Sequence, residues 1–235
     1  KETKDHLTLS YSQSEKEFQI SKFSRKNKTD DNYLVTPEIS IFVVGTLIYK
    51  DRLGQDALST LKNDLDKKPI EALVEHCDGP FCLIIKYALE KGIWVITDHA
   101  GMLNIYKYCS NSINTICTSS IVLSRMYPVT PNHEAVIQFL RNASVWDSQT
   151  IYKEIELFES ASIYWIDIST STAIKKKRQY WRSPTEVNEH QDFNVACNKL
   201  ASYLEKSLLV LSKENIVCDL TAGYDSRLIV SILSH

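Results

Sequence analysis

One run of residues constrains this chain more than any other: ISIFVVGTLIY at 39–49 is almost continuously β-branched or aromatic. A run of that kind reads as a buried strand, with no polar face to turn to solvent. Two further runs, FCLIIKYAL at 81–89 and GIWVITD at 92–98, read as paired strands joined by a Glu90-Lys91-Gly92 turn. NIYKYC (104–109) with INTICTS (113–119) predicts a second pair, and SIYWIDIS (162–169) with about 173–180 a third. Weak alternation at 7–11 and 16–23 predicts strands around a Ser-rich turn, and 24–38 is polar and loop-like.

Helical spacing is local by comparison. Leu53, Ala57, Leu58, Leu61 and Leu65 share one face. Pro69 opens a second short helix with Ile70, Leu73, Val74 and Cys77 on one face, and Pro131 starts another through about Arg141. RSPTEVNEH at 182–190 is polar and holds a proline, which predicts a linker. Beyond it, apolar residues at 193, 196, 200, 204, 208 and 211 predict a long amphipathic helix. NIVCDL (215–220) then reads as a short buried strand, TAGYDS as a turn and RLIVSIL as a helix. The pattern changes near residue 186 from β-rich to the helix–strand–turn–helix opening of an α/β nucleotide-binding domain.

Composition excludes several functions. The net charge of −2 and a single basic cluster, Lys175–Arg178, argue against nucleic acid, and that cluster reads as a solvated turn or strand edge. No apolar run approaches the roughly 20 residues that span a bilayer. The six cysteines form no C-x-x-C pair and most sit in apolar runs, so buried free thiols in a reducing, cytoplasmic setting are expected. Cys109 and Cys117 flank a hairpin tip, where a cross-strand disulfide is the alternative. His76-Cys77 is a poorly aimed base–nucleophile pair, and Asp98-His99 reads as a turn with Gly101. Neither the His nor the Cys residues show zinc spacing.

TAGYDS carries the chemistry. A small-residue turn ahead of a helix leaves backbone N–H groups unpaired, and with the helix dipole these form an anion site. Ala222 and Gly223 let a phosphate approach the backbone, Thr221 and Ser226 add hydroxyls, and Asp225 can hold Mg²⁺ that bridges to phosphate oxygens. A tight turn with Asp225 and Ser226 as helix caps satisfies the same residues.

LTAGYDS resembles the S-G-G-x-D-S pyrophosphate loop of the asparagine synthetase superfamily, with Thr221 and Ala222 in place of the first Ser and Gly. Upstream, 77–108 is similar to the family's amidotransferase segment, with landmarks Asp78, Gly79, Phe81, Asp98, Gly101, Tyr106 and Tyr108. Residues 150–181 resemble its closing hairpin. The resemblance implies an α+β fold: an Ntn-type αββα sandwich of two antiparallel sheets over 1–184, a linker at 185–190, and the first helix–strand–helix of a PP-loop domain over 191–235. It implies ATP and Mg²⁺ as cofactors. Gly223, Ala222 and neighbouring N–H groups would hold pyrophosphate, Thr221 and Ser226 would donate to it, and Leu220 would line the nucleotide. Asp225 would bind Mg²⁺ with a second carboxylate expected beyond residue 235.

The chain departs from the family where glutamine is hydrolysed. The nucleophile there is an N-terminal cysteine, whereas this chain starts with Lys1 and its first cysteine is Cys77. VVGTLIY stands where an Asn-Gly-Glu segment belongs. No catalytic residue is therefore expected in the first domain. The expectation is the N-terminal part of an ATP-dependent, amide-forming ligase without glutaminase activity, acting on a small-molecule or peptide carboxylate and inactive as this chain alone. The expected associations are a homodimer or a missing C-terminal part, with no nucleic acid or membrane. The alternative is a non-catalytic scaffold, dimerisation or partner-binding module.

Overall fold

The computed structural model describes residues 7–14, 18–25, 32–110, 114–168, 174–183, 192–212, 216–221 and 223–234. The protein is a mixed α+β fold whose described strand pairs are all antiparallel. The expected linker at 185–190 lies outside the described residues.

The central sheet holds six strands: β3 (Tyr33–Val35), β4 (Ile39–Gly45), β7 (Phe81–Tyr87), β8 (Gly92–Thr97), β12 (Ser162–Asp167) and β13 (Ile174–Gln179), in the order β13-β12-β8-β7-β4-β3. Its register aligns Val43, Leu83, Ile96 and Ile163 in one cross-strand row, and Ile84, Val95 and Tyr164 in the adjacent one. Successive side chains point to opposite faces, so these rows line opposite sides of the sheet. A one-residue slip would exchange them.

The first row meets helix α1 (Gly54–Leu65), which buries Ala57, Leu58, Leu61 and Leu65 against it. Each fully buried Leu or Ile contributes about 1.5–3 kcal/mol by leaving water. Pro69 does not open one continuous helix. Two 3₁₀ turns, Ile70–Ala72 and Val74–His76, run into strand β6 (Cys77–Asp78), although Ile70, Leu73, Val74 and Cys77 all join the core as expected.

The second row faces a three-stranded sheet with the order β10-β9-β11: β9 (Tyr106–Cys109), β10 (Asn114–Cys117) and β11 (Ile155–Leu157). Ile105, Ile116 and Phe158 pack from this side onto Val95, Tyr164 and Ile166. The small sheet's other face carries Tyr108 and Ile155 against Leu123 of α2 (Ser120–Met126). Tyr127 stacks flat on Tyr108, with ring centroids 4.4 Å apart. The hairpin of β1 (Leu7–Ser14) and β2 (Gln19–Arg25) sets Tyr11 against Tyr33 and Phe42. Helix α3 (His133–Asn142) is capped by Asn132, whose side chain accepts from Ala135 N at 3.3 Å.

The run at 39–49 is two strands. Gly45 turns the chain with φ +84° and releases β5 (Ile48–Tyr49) to pair with β6. The Cys109–Cys117 disulfide does not form. The register pairs Cys109 with Asn114 and Cys117 with Tyr106, so the thiols stand three rungs apart, about 10 Å along the strand, and both are free. Lys175–Arg178 lies on β13, the sheet's edge, where exposed cations discourage further strand pairing.

The C-terminal part holds α4 (Phe193–Leu211), capped by Asp192, and α5 (Tyr224–Leu233). Residues 216–221 are not a strand: Val217 is 93% exposed and Leu220 66%. A strand needs a neighbour to take its N–H and C=O groups, and no described segment pairs with this one. Along α4, Phe193 and Leu200 of the expected apolar stripe are also exposed, and Val210 is the helix's one buried residue. Among the described residues, no helix is long and apolar enough to cross a membrane.

Candidate functional site

The TAGYDS segment runs into α5: Gly223 is the N-cap, in an extended conformation, and Tyr224, Asp225 and Ser226 are the first residues of the helix. The Thr221 and Ser226 hydroxyls lie 3.0 Å apart. Thr221 N donates to Ser226 Oγ at 3.1 Å, and Gly223 N donates to Thr221 Oγ1 at 3.3 Å. Two hydroxyls, a glycine N–H and the first turn of a helix thus converge. Ser226 Oγ also donates to Thr221 O at 3.2 Å, so both hydroxyls and Gly223 N are bonded within the turn, and an anion would take these donors by replacing those bonds.

Asp225 lies exposed in the first turn of α5. Leu220 is exposed beside it, and Ala222 lies outside the described residues. Sequence reasoning missed Arg227. Its Nε donates to Gly223 O at 3.3 Å, and its guanidinium lies over the Tyr224 ring at 4.7 Å. Its place one turn into the helix, with a carbonyl of the turn within reach, is a local signal that the motif pattern did not include.

The donor set suits phosphate oxygens. For Mg²⁺ the fit is incomplete: among the described residues, no group of three His, Cys, Asp or Glu side chains could hold a metal ion, and Asp225 is a single carboxylate. Among the described residues, Leu220 and Tyr224 beside the turn are open to solvent.

The landmarks upstream of the turn have structural work. Asp98 is buried beneath the loop after β8. Its Oδ1 accepts from Ala100 N at 3.1 Å and Met102 N at 2.9 Å, and its Oδ2 accepts from Leu103 N at 2.9 Å. Gly101 turns that loop with φ +66°. Asp98 is therefore the organiser of a turn. His99 leaves it to pack edge-on against Tyr180, centroids 5.0 Å apart. Phe81 is fully buried, and Tyr106 and Tyr108 lie on β9.

The other thiol candidates are inert. Burial, with Asp78 nearby, pushes the Cys77 thiol up to about 12, and burial with Asp98 does the same to Cys82. His76 is exposed while Cys77 faces the core, so the two do not form a base–nucleophile pair.

Sequence reasoning also missed a cleft of about 470 Å³ where the ends of the two sheets meet. It lies between the loop after β8, the loop after α3, and the β11–β12 connection. Gly101, Leu103, Asp147, Leu157, Phe158 and Glu159 are among its walls. Its residues come from four separate segments, so no spacing marks them.

No protein-family model matches the chain, and no curated protein matches it.

Proposed function

We propose that this chain contributes an amidotransferase-like sandwich and the opening of an ATP-binding domain to an asparagine-synthetase-like, amide-forming ligase. The observation that carries the reading is the pairing of the Thr221 hydroxyl with that of Ser226 in the first turn of α5 at 3.0 Å, with Gly223 at the N-cap between them. The order of layers in the first domain supports it: α1, the six-stranded sheet, the three-stranded sheet, then α2. An Ntn-type αββα sandwich, as proposed here, would stack its layers in this order.

In this reading Gly223 N and the first-turn N–H groups of α5 hold pyrophosphate oxygens, and Thr221 and Ser226 donate to them. Asp225 is the one carboxylate offered to Mg²⁺. ATP would supply the group that activates a carboxylate for attack by an amine. In this reading Cys77, buried and in mid-chain, is not a glutaminase nucleophile. Ammonia or a substrate amine is then the nitrogen source, and the first domain serves as scaffold. The carboxylate is a small molecule or a peptide.

The test is a titration of the ¹⁵N-labelled chain with pyrophosphate. Saturable shifts at Gly223, Tyr224 and Ser226, weakened about tenfold in Ser226→Ala, are expected, as for the loss of a hydrogen bond to a charged group. Absence of any response at those amides in millimolar pyrophosphate would sink the reading. ATP–pyrophosphate exchange by the native gene product then separates a ligase from a bare anion site.

A second reading, a partner-binding module, draws on a different observation. Phe193, Leu200 and Tyr203 of α4 and Tyr224 and Leu228 of α5 are all exposed, an unusual amount of apolar surface for two adjoining helices. Pyrophosphate-independent association of the chain, measured by light scattering, would favour this reading.

A further inference from the structure

We propose that helix α3 packs antiparallel on α3 of a second copy of this chain, across a twofold axis level with Ile137 and Gln138. The inference goes beyond the ligase reading and shares no residue with the turn at 221–226.

The helix carries apolar side chains on its outer side. Ala135 is its one buried residue, and Ile137, two positions on, points about 160° away from it. Ile137 is 50% exposed and Leu140, on the same face, 77%. Val136 is half-buried at the margin of that face. Trp146, also exposed, is tied to the helix by its N–H, which donates to the Gln138 side chain at 3.1 Å. Adjoining apolar side chains this open mark an interaction surface. Both ends of the helix are fixed in advance: Asn132 caps its first turn, and Ala143 N donates to Phe139 O at 2.8 Å. Association therefore orders little backbone.

The charges select a second copy as the partner. Glu134 and Arg141 flank Ile137 on its own face, three residues before it and four after. Both are exposed, and neither has a hydrogen bond or ion pair among the described residues. They stand about 10 Å apart along the axis, too far to pair with each other. Their midpoint falls between Ile137 and Gln138. A copy turned about that point runs antiparallel and brings each Glu134 to Arg141 of the other chain, so two ion pairs form together. Ile137 then meets Ile137, and Leu140 lies beside Val136 of the other chain. A twofold interface requires a patch that is its own complement, and this face meets that requirement in charge and in apolar surface. Parallel packing would set Glu134 on Glu134 and Arg141 on Arg141, which like-charge repulsion opposes. The same two charges favour the helix dipole within one chain, so the test acts between chains.

Glu134→Lys and Arg141→Glu each turn both cross-pairs into like-charge contacts. Sedimentation velocity of the full chain at micromolar concentrations reads the result. The chain should sediment as a dimer, and each variant alone should weaken that dimer about tenfold or more. Mixed in equal amounts, the two variants should associate about as tightly as the unaltered chain, because each supplies the charge the other lacks. An effect on the dipole inside one helix cannot be restored by mixing. Leu140→Ser, at an exposed position, repeats the test without touching the charges and should also weaken the dimer. Leu200→Ser on α4 should leave it intact. A monomeric chain, a dimer that survives both charge variants, or a mixture that does not associate would each overturn the proposal. So would a dimer kept in Leu140→Ser and lost in Leu200→Ser, which would place the contact on α4 and α5. Failure here leaves the pyrophosphate result at Gly223 and Ser226 standing, and the reverse holds.

Discussion

Gly45 has no room for a side chain, because the carbonyl oxygen of Pro80 lies 2.2 Å from where its Cβ would stand. Gly79 faces Thr46 O in the same way at 2.4 Å, and Thr46 N donates to Pro80 O at 2.8 Å. The two loops at this end of the central sheet are thus interlocked through two glycines at positive φ. Gly45→Ala combines a left-handed backbone penalty with a backbone clash that a rotamer change cannot relieve. The expected loss is about 3 kcal/mol or more. Urea denaturation of Gly45→Ala against Gly54→Ala checks it, because Gly54 also has positive φ (54°) but open space around it. Equal losses for the two would refute the interlock.

Asp98 gives a second prediction. Its buried carboxylate satisfies three backbone N–H groups of the more exposed loop that follows it. Asp98→Ala strands all three and should cost about 3–5 kcal/mol, while Asp98→Asn keeps one acceptor oxygen and should cost roughly half as much. Hydrogen exchange at Ala100, Met102 and Leu103 should accelerate in the same order. Unchanged exchange in Asp98→Ala would mean that the loop is held by something else.

At alkaline pH the core thiols act against the fold. Cys77, Cys82 and Tyr87 are raised to about 12, chiefly by burial, and burial raises Tyr49 and Tyr180 also. A raised folded-state value stabilises the protein below the unfolded value and is lost as pH rises through the folded one. Stability should therefore hold to about pH 9 and decline steadily towards pH 12. Intrinsic fluorescence against pH at fixed urea reads this. At pH 8 a thiol reagent should label exposed Cys197 rapidly and Cys77 and Cys82 only on unfolding. Fast labelling of Cys82 would contradict the packing of the second face.

At acid pH the sign reverses. Lys50 and Tyr49 hold Asp64 Oδ2 at 2.6 and 2.9 Å and lower its carboxyl value, and Thr130 lowers that of Glu154 through its N–H and hydroxyl. A lowered value stabilises above the unfolded value, near 4, and is lost as pH falls through the folded one. The chain should lose stability below about pH 4, and Asp64→Asn should make that limb shallower. A limb of the same steepness in Asp64→Asn would remove Asp64 from the account.

Much of the fold was legible because the signals are local. The apolar runs at 81–89 and 92–98 form β7 and β8, and the stripe from Ala57 to Leu65 forms the buried face of α1. The helix after Pro131 and the hairpin at 162–180 appear within a residue or two. Short elements were not legible. Helix α2 has seven residues and β11 has three, too few for a period to declare itself. Of the candidate site, Thr221, Gly223 and Ser226 could be named because the turn leading into α5 keeps them within six residues of sequence.

Residues 216–221 mark the boundary between the two kinds of knowledge. NIVCDL has the composition of a buried strand, as FCLIIKYAL does, yet only the second is one. Hydrophobic alternation and turn residues act between near neighbours, so the sequence by itself determined where helices and most strands lie, and which face each presents. Strand pairing, burial and the cleft act between distant segments. Only the tertiary structure decided that Val43, Leu83, Ile96 and Ile163 share a row and that Cys109 and Cys117 stand apart. The same holds for Gly101, Asp147 and Glu159, which meet around one cavity. The reason is physical: a strand's hydrogen bonds and a cavity's walls are supplied by whatever the rest of the chain brings beside them.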